Sequence, residues 1–149
     1  MGSFLSGIRA FLWSDLPPWR MGLSAAIGVF IAVTPTIGFQ TVLVVALVSL
    51  VRGNRGLALV TSGIANPWTI PFIVYIDFKV GSFLLGNGSW VGLTERFTFG
   101  TLGDAYMRVL VGSMIVGTTL AVIIGALVSA YFHRKGKDKS IIDKREEMV

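Results

Sequence analysis

The segment "TPTIGFQ", residues 34–40, interrupts an apolar run that extends from Met21 to Val51, placing a proline and a glycine where a helix most needs continuity. Proline lacks the N–H that bonds one turn back and its ring clashes with the preceding turn, while glycine adopts dihedrals closed to other residues. A near copy, "NPWTIPF" at 66–72, interrupts a second apolar run from Leu57 to Leu85. Each run is long enough to cross a bilayer, but its halves are not. Residues 21–33 make a helix of roughly 20 Å and 41–51 one of about 16 Å, at ~1.5 Å per residue, against a hydrocarbon core of ~30 Å. The two units form a degenerate repeat, since the Thr34-Pro35 break runs on to Gly53-Asn54 and the Asn66-Pro67 break to Gly86-Asn87.

Composition identifies the solvent. Hydrophobic residues make up 53% of the 149, and charged residues 14%, whereas ordinary soluble domains carry about 25% charged residues. The expected fold is an all-α integral membrane protein with two Pro/Gly-broken hydrophobic units, each a re-entrant hairpin or an interrupted span. One long C-terminal transmembrane helix and a short N-terminal interfacial helix complete it. The segments are an interfacial amphipathic stretch over 1–19, a broken-helix repeat core over 20–86, an external loop over 87–103, a transmembrane helix over 104–132 and a charged cytoplasmic tail over 133–149. That tail mixes acids and bases and is expected to be mobile or to lie on the membrane surface.

The net charge of +5 is orientation information and not a nucleic-acid footprint. Arg52 and Arg55 stand in the connector and Arg134, Lys135, Lys137 and Lys139 follow the last apolar stretch, while the 87–103 loop has Arg96 against Glu95. Connector and tail are therefore expected in the cytoplasm and the loop outside, in a multi-pass protein of the bacterial inner (cytoplasmic) membrane. The second unit must then cross. The first either crosses, making an inverted repeat, or turns back and keeps Arg9 and Arg20 inside.

Several chemistries lack their residues. Cysteine is absent, His133 stands alone in the basic tail, and no Ser/His/Asp set or phosphate-binding glycine loop can be assembled. No enzymatic activity, no catalytic residue, no metal and no cofactor are expected.

Candidate site residues gather at the breaks. Backbone groups uncovered at membrane depth cost several kcal/mol each unless protein or water covers them. Pro35, Gly38 and Pro67 make the breaks, and Thr34, Thr36, Gln40, Asn66 and Thr69 bring side-chain partners for the freed groups. Half-helix ends facing such a gap offer fixed partial charges to a ligand; the alternative is a pair of structural kinks. Asp77 and Lys79 lie within the second apolar run and cannot face lipid unpaired. Two residues apart on a helix they do not face each other, so Arg20 and Arg108 are candidate partners for Asp77, in a functional or a purely structural ion pair. In the last helix Ser113, Gly117, Ala121, Gly125 and Ser129 form a small-residue series every fourth position, a face for close packing within the chain or between protomers.

The stretches "GLSAAIGVFIAVTPTIGF", "RGN" and "NPWTIPFI…VGSFLLG" resemble the bacterial membrane family catalogued as domain of unknown function 2062. The resemblance covers about 18–86 and is carried by Gly28, Thr34, Pro35, Gly38, Arg52, Gly53, Asn54, Asn66, Pro67, Thr69, Pro71 and Gly86. It brings no established activity. Some relatives are described as joined to glycosyltransferase modules, which implies lipid-linked envelope chemistry.

The expected function is translocation of a small solute, ion or lipid headgroup through a cavity lined by broken helices, an anion or lipid phosphate being favoured where half-helix N-termini and Lys79 converge. The alternative is a non-catalytic subunit or scaffold of a larger membrane complex, bound through the small-residue face of the last helix. Expected partners are membrane lipid and a second copy or other membrane-complex subunits, with no nucleic acid.

Overall fold

The computed structural model describes residues 16–36, 38–86 and 99–146, with side chains of the last helix over 102–135. The expected interfacial helix and the 87–98 loop lie outside the described residues. Five helices follow in order: α1 (Pro18–Val33), α2 (Gln40–Leu50), α3 (Arg55–Ser62), α4 (Ile70–Leu84) and α5 (Phe99–Glu146).

Helix ends lie where local chemistry puts them. α1 opens on Pro18, a position at which the missing N–H has no intrahelical partner to lose. It closes at Thr34, whose φ of −72° and ψ of 134° are the extended geometry imposed on a residue before proline. After α2, Gly53 N–H donates to Val48 O at 2.9 Å and Arg52 N–H to Ser49 O at 3.1 Å. These are the paired bonds of a Schellman cap, with Arg52 at φ 50° where glycine is usual. Asn54 then caps α3, its side chain accepting from Leu57 N–H at 2.9 Å. The "RGN" motif thus ends one helix and starts the next within three residues.

Helix directions follow from close contacts. On α5, Gly125 meets Gly22 and Ala26 of α1, and Gly117 meets Phe30, so α1 runs antiparallel to α5. Gly112 meets Asp77, while Gly81 meets Arg108, so α4 is antiparallel to α5 as well. α3 runs parallel to α1, because Ser24 bonds Asn54 and Gly28 abuts Ala58 and Thr61. α2 returns beside α1, with Val48 near Gly53 and Ser24 at one end and Gln40 beside Val33 at the other.

The two breaks therefore do different things. The first is the tip of a helical hairpin, reversed through Gly38 at φ 88°. The second joins α3 to α4 with the direction kept, and 63–69 contain no left-handed residue. α1 and α4 lie in succession along α5, each half-length at 16 and 15 residues, or about 24 and 22 Å at ~1.5 Å per residue. α2 and α3 pack on α1 and on each other. Their core joins Ile31, Val44, Val48 and Ala58, with Phe30, Leu43 and Leu59 against it.

α5 is longer than the sequence predicts. Residues 99–103, expected in the loop, and 133–146, expected as a mobile or surface-lying tail, both belong to this 48-residue helix. Lys, Arg and Glu lose little side-chain freedom in a helix and no proline interrupts them, so charge alone does not end it. Its stretch Leu102–Lys135 is long and apolar enough to cross a membrane. Large apolar side chains cover the outside: Phe83 is 86% exposed, Leu50 79%, Val122 and Leu127 65% each. Such continuous apolar surface suits lipid as solvent.

Candidate functional site

The hairpin tip and the second break meet beside the middle of α5. Between them lies a half-open cavity of about 90 Å³, roomy enough for several waters or a small ion, since about 10–15 Å³ of such volume holds one water. Ala32 and Val33 close α1 against it, Thr34, Pro35 and Thr36 form the tip, Gln40 begins α2, and Ala65, Ile70, Ile73 and Val74 supply the opposite wall.

Three helix ends face it, the C-terminus of α1 and the N-termini of α2 and α4, and Ala65 brings the segment that follows α3. Neither N-terminus carries a side-chain cap, but at α4 the Ile70 N–H donates to Asn66 O at 2.9 Å and Pro71 has none, so it is mainly α2 whose positive end is left for another acceptor. At the other pole, Thr34 Oγ1 donates to Phe30 O at 2.9 Å and Thr36 Oγ1 to Thr34 O at 3.4 Å. The Gln40 carboxamide adds two donors and an acceptor.

The second break is differently built. Asn66 Oδ1 accepts from Trp68 N–H and Thr69 N–H, both at 3.0 Å. Thr69 Oγ1 accepts from Asn66 N–H at 2.9 Å and donates to Ile64 O at 2.5 Å. This closed set of local bonds satisfies the main chain at Pro67 in place, as Asn and Thr do in turns. Of the expected residues, the structure brings Thr34, Pro35, Thr36 and Gln40 to the cavity, whereas Asn66, Pro67 and Thr69 form the turn behind it and Gly38 sits exposed at the tip.

Asp77 and Lys79 do not line the cavity. Lys79 points away, its ammonium 5.7 Å from the centre of the Tyr75 ring. Asp77 is fully buried, and neither carboxylate oxygen has a hydrogen-bond partner. The expected pairing with Arg20 fails on distance: Asp77 is level with Gly112 of α5 and Arg20 lies beyond Gly125. Those 13 residues correspond to about 20 Å at ~1.5 Å each. Arg108, one turn from Gly112, does not bond the carboxylate either.

The small-residue series is a packing face, as its spacing implies, and the helix it receives is α1 of the same chain. Gly125 and Ser129 seat Gly22, Gly117 seats Phe30, and Ser113 and Ala121 are buried. Residues without a sequence signal of their own complete the picture. Ile73 and Val74 reach the cavity because they follow Ile70 by three and four positions. Ser24 is buried as the link between α1 and α3, and its trace in the sequence is that it is the one hydroxyl of α1.

Residues 6–140 match the family model described as "Uncharacterized protein conserved in bacteria (DUF2062)". The chain belongs to that family. The match reaches past the 18–86 core into α5 and back toward the N-terminus, so the long helix is part of the family's pattern and not an addition to it. No curated protein and no solved structure matches the chain.

Proposed function

We propose that this family member is a multi-pass protein of the bacterial inner membrane that translocates a small solute or ion through the cavity between its two breaks. The observation that carries the reading is the meeting of three half-helix ends at one cavity, at about the level of Gly112–Gly117 within the apolar α5. Broken helices at mid-depth supply fixed partial charges of both signs without burying a full charge. In this reading α1 and α2 are a re-entrant hairpin and α3 and α4 an interrupted span. The basic residues favour it: Arg20, Arg52, Arg55, Arg134 and Lys135 gather at the hairpin's open end, the cytoplasmic side by the positive-inside rule.

A small solute or ion is favoured over a phosphate headgroup, because no charged side chain among the described residues lines the cavity. Lys79 does not contribute to anion preference, since it faces away. Against the scaffold alternative stands the packing of α1 on part of its docking face, at Gly117, Gly125 and Ser129.

Reconstitution in liposomes tests the proposal. Efflux of small anions or cations should exceed that of protein-free vesicles, and Ala65→Leu, which fills the cavity, should reduce it at least tenfold. Flux no greater than the protein-free background, for ions and headgroup-labelled lipid alike, would sink the translocation reading.

A further inference from the structure

The α4 wall of the cavity, Ile70, Ile73 and Val74, continues along the same helix face to Asp77 and then Gly81. Asp77 is 0% exposed with both carboxylate oxygens unpartnered, and Ser82 Oγ further along α4 is likewise buried without a partner. α5 is the element packed against this part of α4. It brings two charged residues to this level, Asp104 and Arg108, and α4 itself carries Lys79, which is engaged with Tyr75 on the opposite side. None of them bonds the Asp77 carboxylate. A carboxylate withdrawn from water without hydrogen-bond donors is among the most costly groups a fold can hold. Main chain meets main chain at Asp77 itself, against Gly112, and one turn on, at Gly81 against Arg108, so small changes at this carboxyl bear directly on how α4 sits on α5.

We propose that Asp77 is a binding site for a monovalent cation, a proton or a sodium ion, whose occupancy sets the packing of α4 on α5 and, through the shared face, the width of the cavity. One carboxyl suffices for a proton; for sodium it supplies the negative charge, and main-chain or water oxygens would have to complete the shell. A divalent cation needs a larger cage of oxygens, and among the described residues no group of three His, Asp or Glu provides one. The coupling to the cavity rests on the translocation reading; the cation site itself does not.

The test uses the full chain in lipid nanodiscs and a hydrophobic carbodiimide, which reacts with a carboxyl carrying a proton, with the adduct at Asp77 quantified by peptide mass spectrometry. Labelling should fall at least tenfold as pH is raised, which assigns a proton, or on adding sodium in place of choline at fixed pH, which assigns sodium. Labelling that is absent, or indifferent to both, overturns the proposal. In parallel, the melting temperature of wild type should depend on pH or sodium, and Asp77→Asn should abolish that dependence; an Asp77→Asn protein with the wild-type dependence also overturns it. If that variant does not fold, the labelling of wild type decides alone. Cation-sensitive labelling without solute flux would leave this site standing and remove the translocation reading, whereas flux with cation-indifferent labelling would do the reverse.

Discussion

The main-chain N–H of Asn54 donates to Ser24 Oγ at 2.8 Å, joining α1 to the start of α3 across 30 residues of sequence. The same hydroxyl donates to Arg20 O at 2.6 Å, and Ser24 is fully buried. Ser24→Ala therefore removes the hydroxyl that accepts from the Asn54 N–H, a loss of about 1–3 kcal/mol. The expected result is a melting temperature lowered by several degrees in detergent. Ser24→Thr retains the hydroxyl and should recover part of the loss if its added methyl is tolerated. An unchanged melting temperature for Ser24→Ala would mean that this link adds nothing to the fold.

Glycines within α5 should separate by what lies opposite them. A Cβ on Gly112 would collide with the carbonyl of Asp77, whereas one on Gly103 meets nothing within 4 Å. Gly112→Ala is expected to destabilise by about 1–3 kcal/mol, the usual range for overpacking. Gly103→Ala should be neutral or stabilise by up to ~1 kcal/mol through helix propensity. Thermal unfolding of the two variants side by side checks the contrast, and equal effects would contradict the α4–α5 contact.

Arg52 occupies the left-handed position of the cap after α2 at φ 50°. Glycine adopts that conformation without the ~1–2 kcal/mol that a Cβ costs there. Arg52→Gly should therefore raise stability by about 1 kcal/mol, unless Arg52 makes a compensating contact in lipid. Its charge also sits at the end that the positive-inside rule assigns to the cytoplasm, so a drop in correctly inserted protein is expected beside the gain in melting temperature.

Membrane topology can be read with single cysteines, because the chain contains none. With an impermeant thiol reagent in intact cells, Leu85→Cys at the end of α4 should react. Leu16→Cys, Arg55→Cys and Lys135→Cys should not, since the hairpin brings those three positions to one end. Reaction at Leu16→Cys as well as Leu85→Cys would instead require the first unit to cross.

Much of the fold was legible in the residues themselves. The half-helix boundaries expected around Pro35 and Pro67 agree with the observed ends to within about three residues, because proline, its preceding residue and the capping Asn54 act locally. The site was half legible. Thr34, Pro35, Thr36 and Gln40 belong to the cavity, but Asn66 and Thr69, equally polar and equally close to a proline, bond their own turn and stand outside it. Composition cannot distinguish a side chain that serves the local main chain from one that faces a shared space. Asp77 stood out as a charge in an apolar run, yet its lack of a partner appears only once α4 is laid on α5.

From the sequence alone came the solvent and the places where helices must stop, since apolar content and the missing proline N–H act within a few residues. Only the tertiary structure decided which break reverses the chain and which carries it onward. That choice depends on one left-handed glycine and on contacts such as Gly28 with Ala58 and Gly22 with Gly125, between residues 30 and 103 positions apart. Close backbone approach depends on where two helices lie in space, and no local pattern of apolar residues records it.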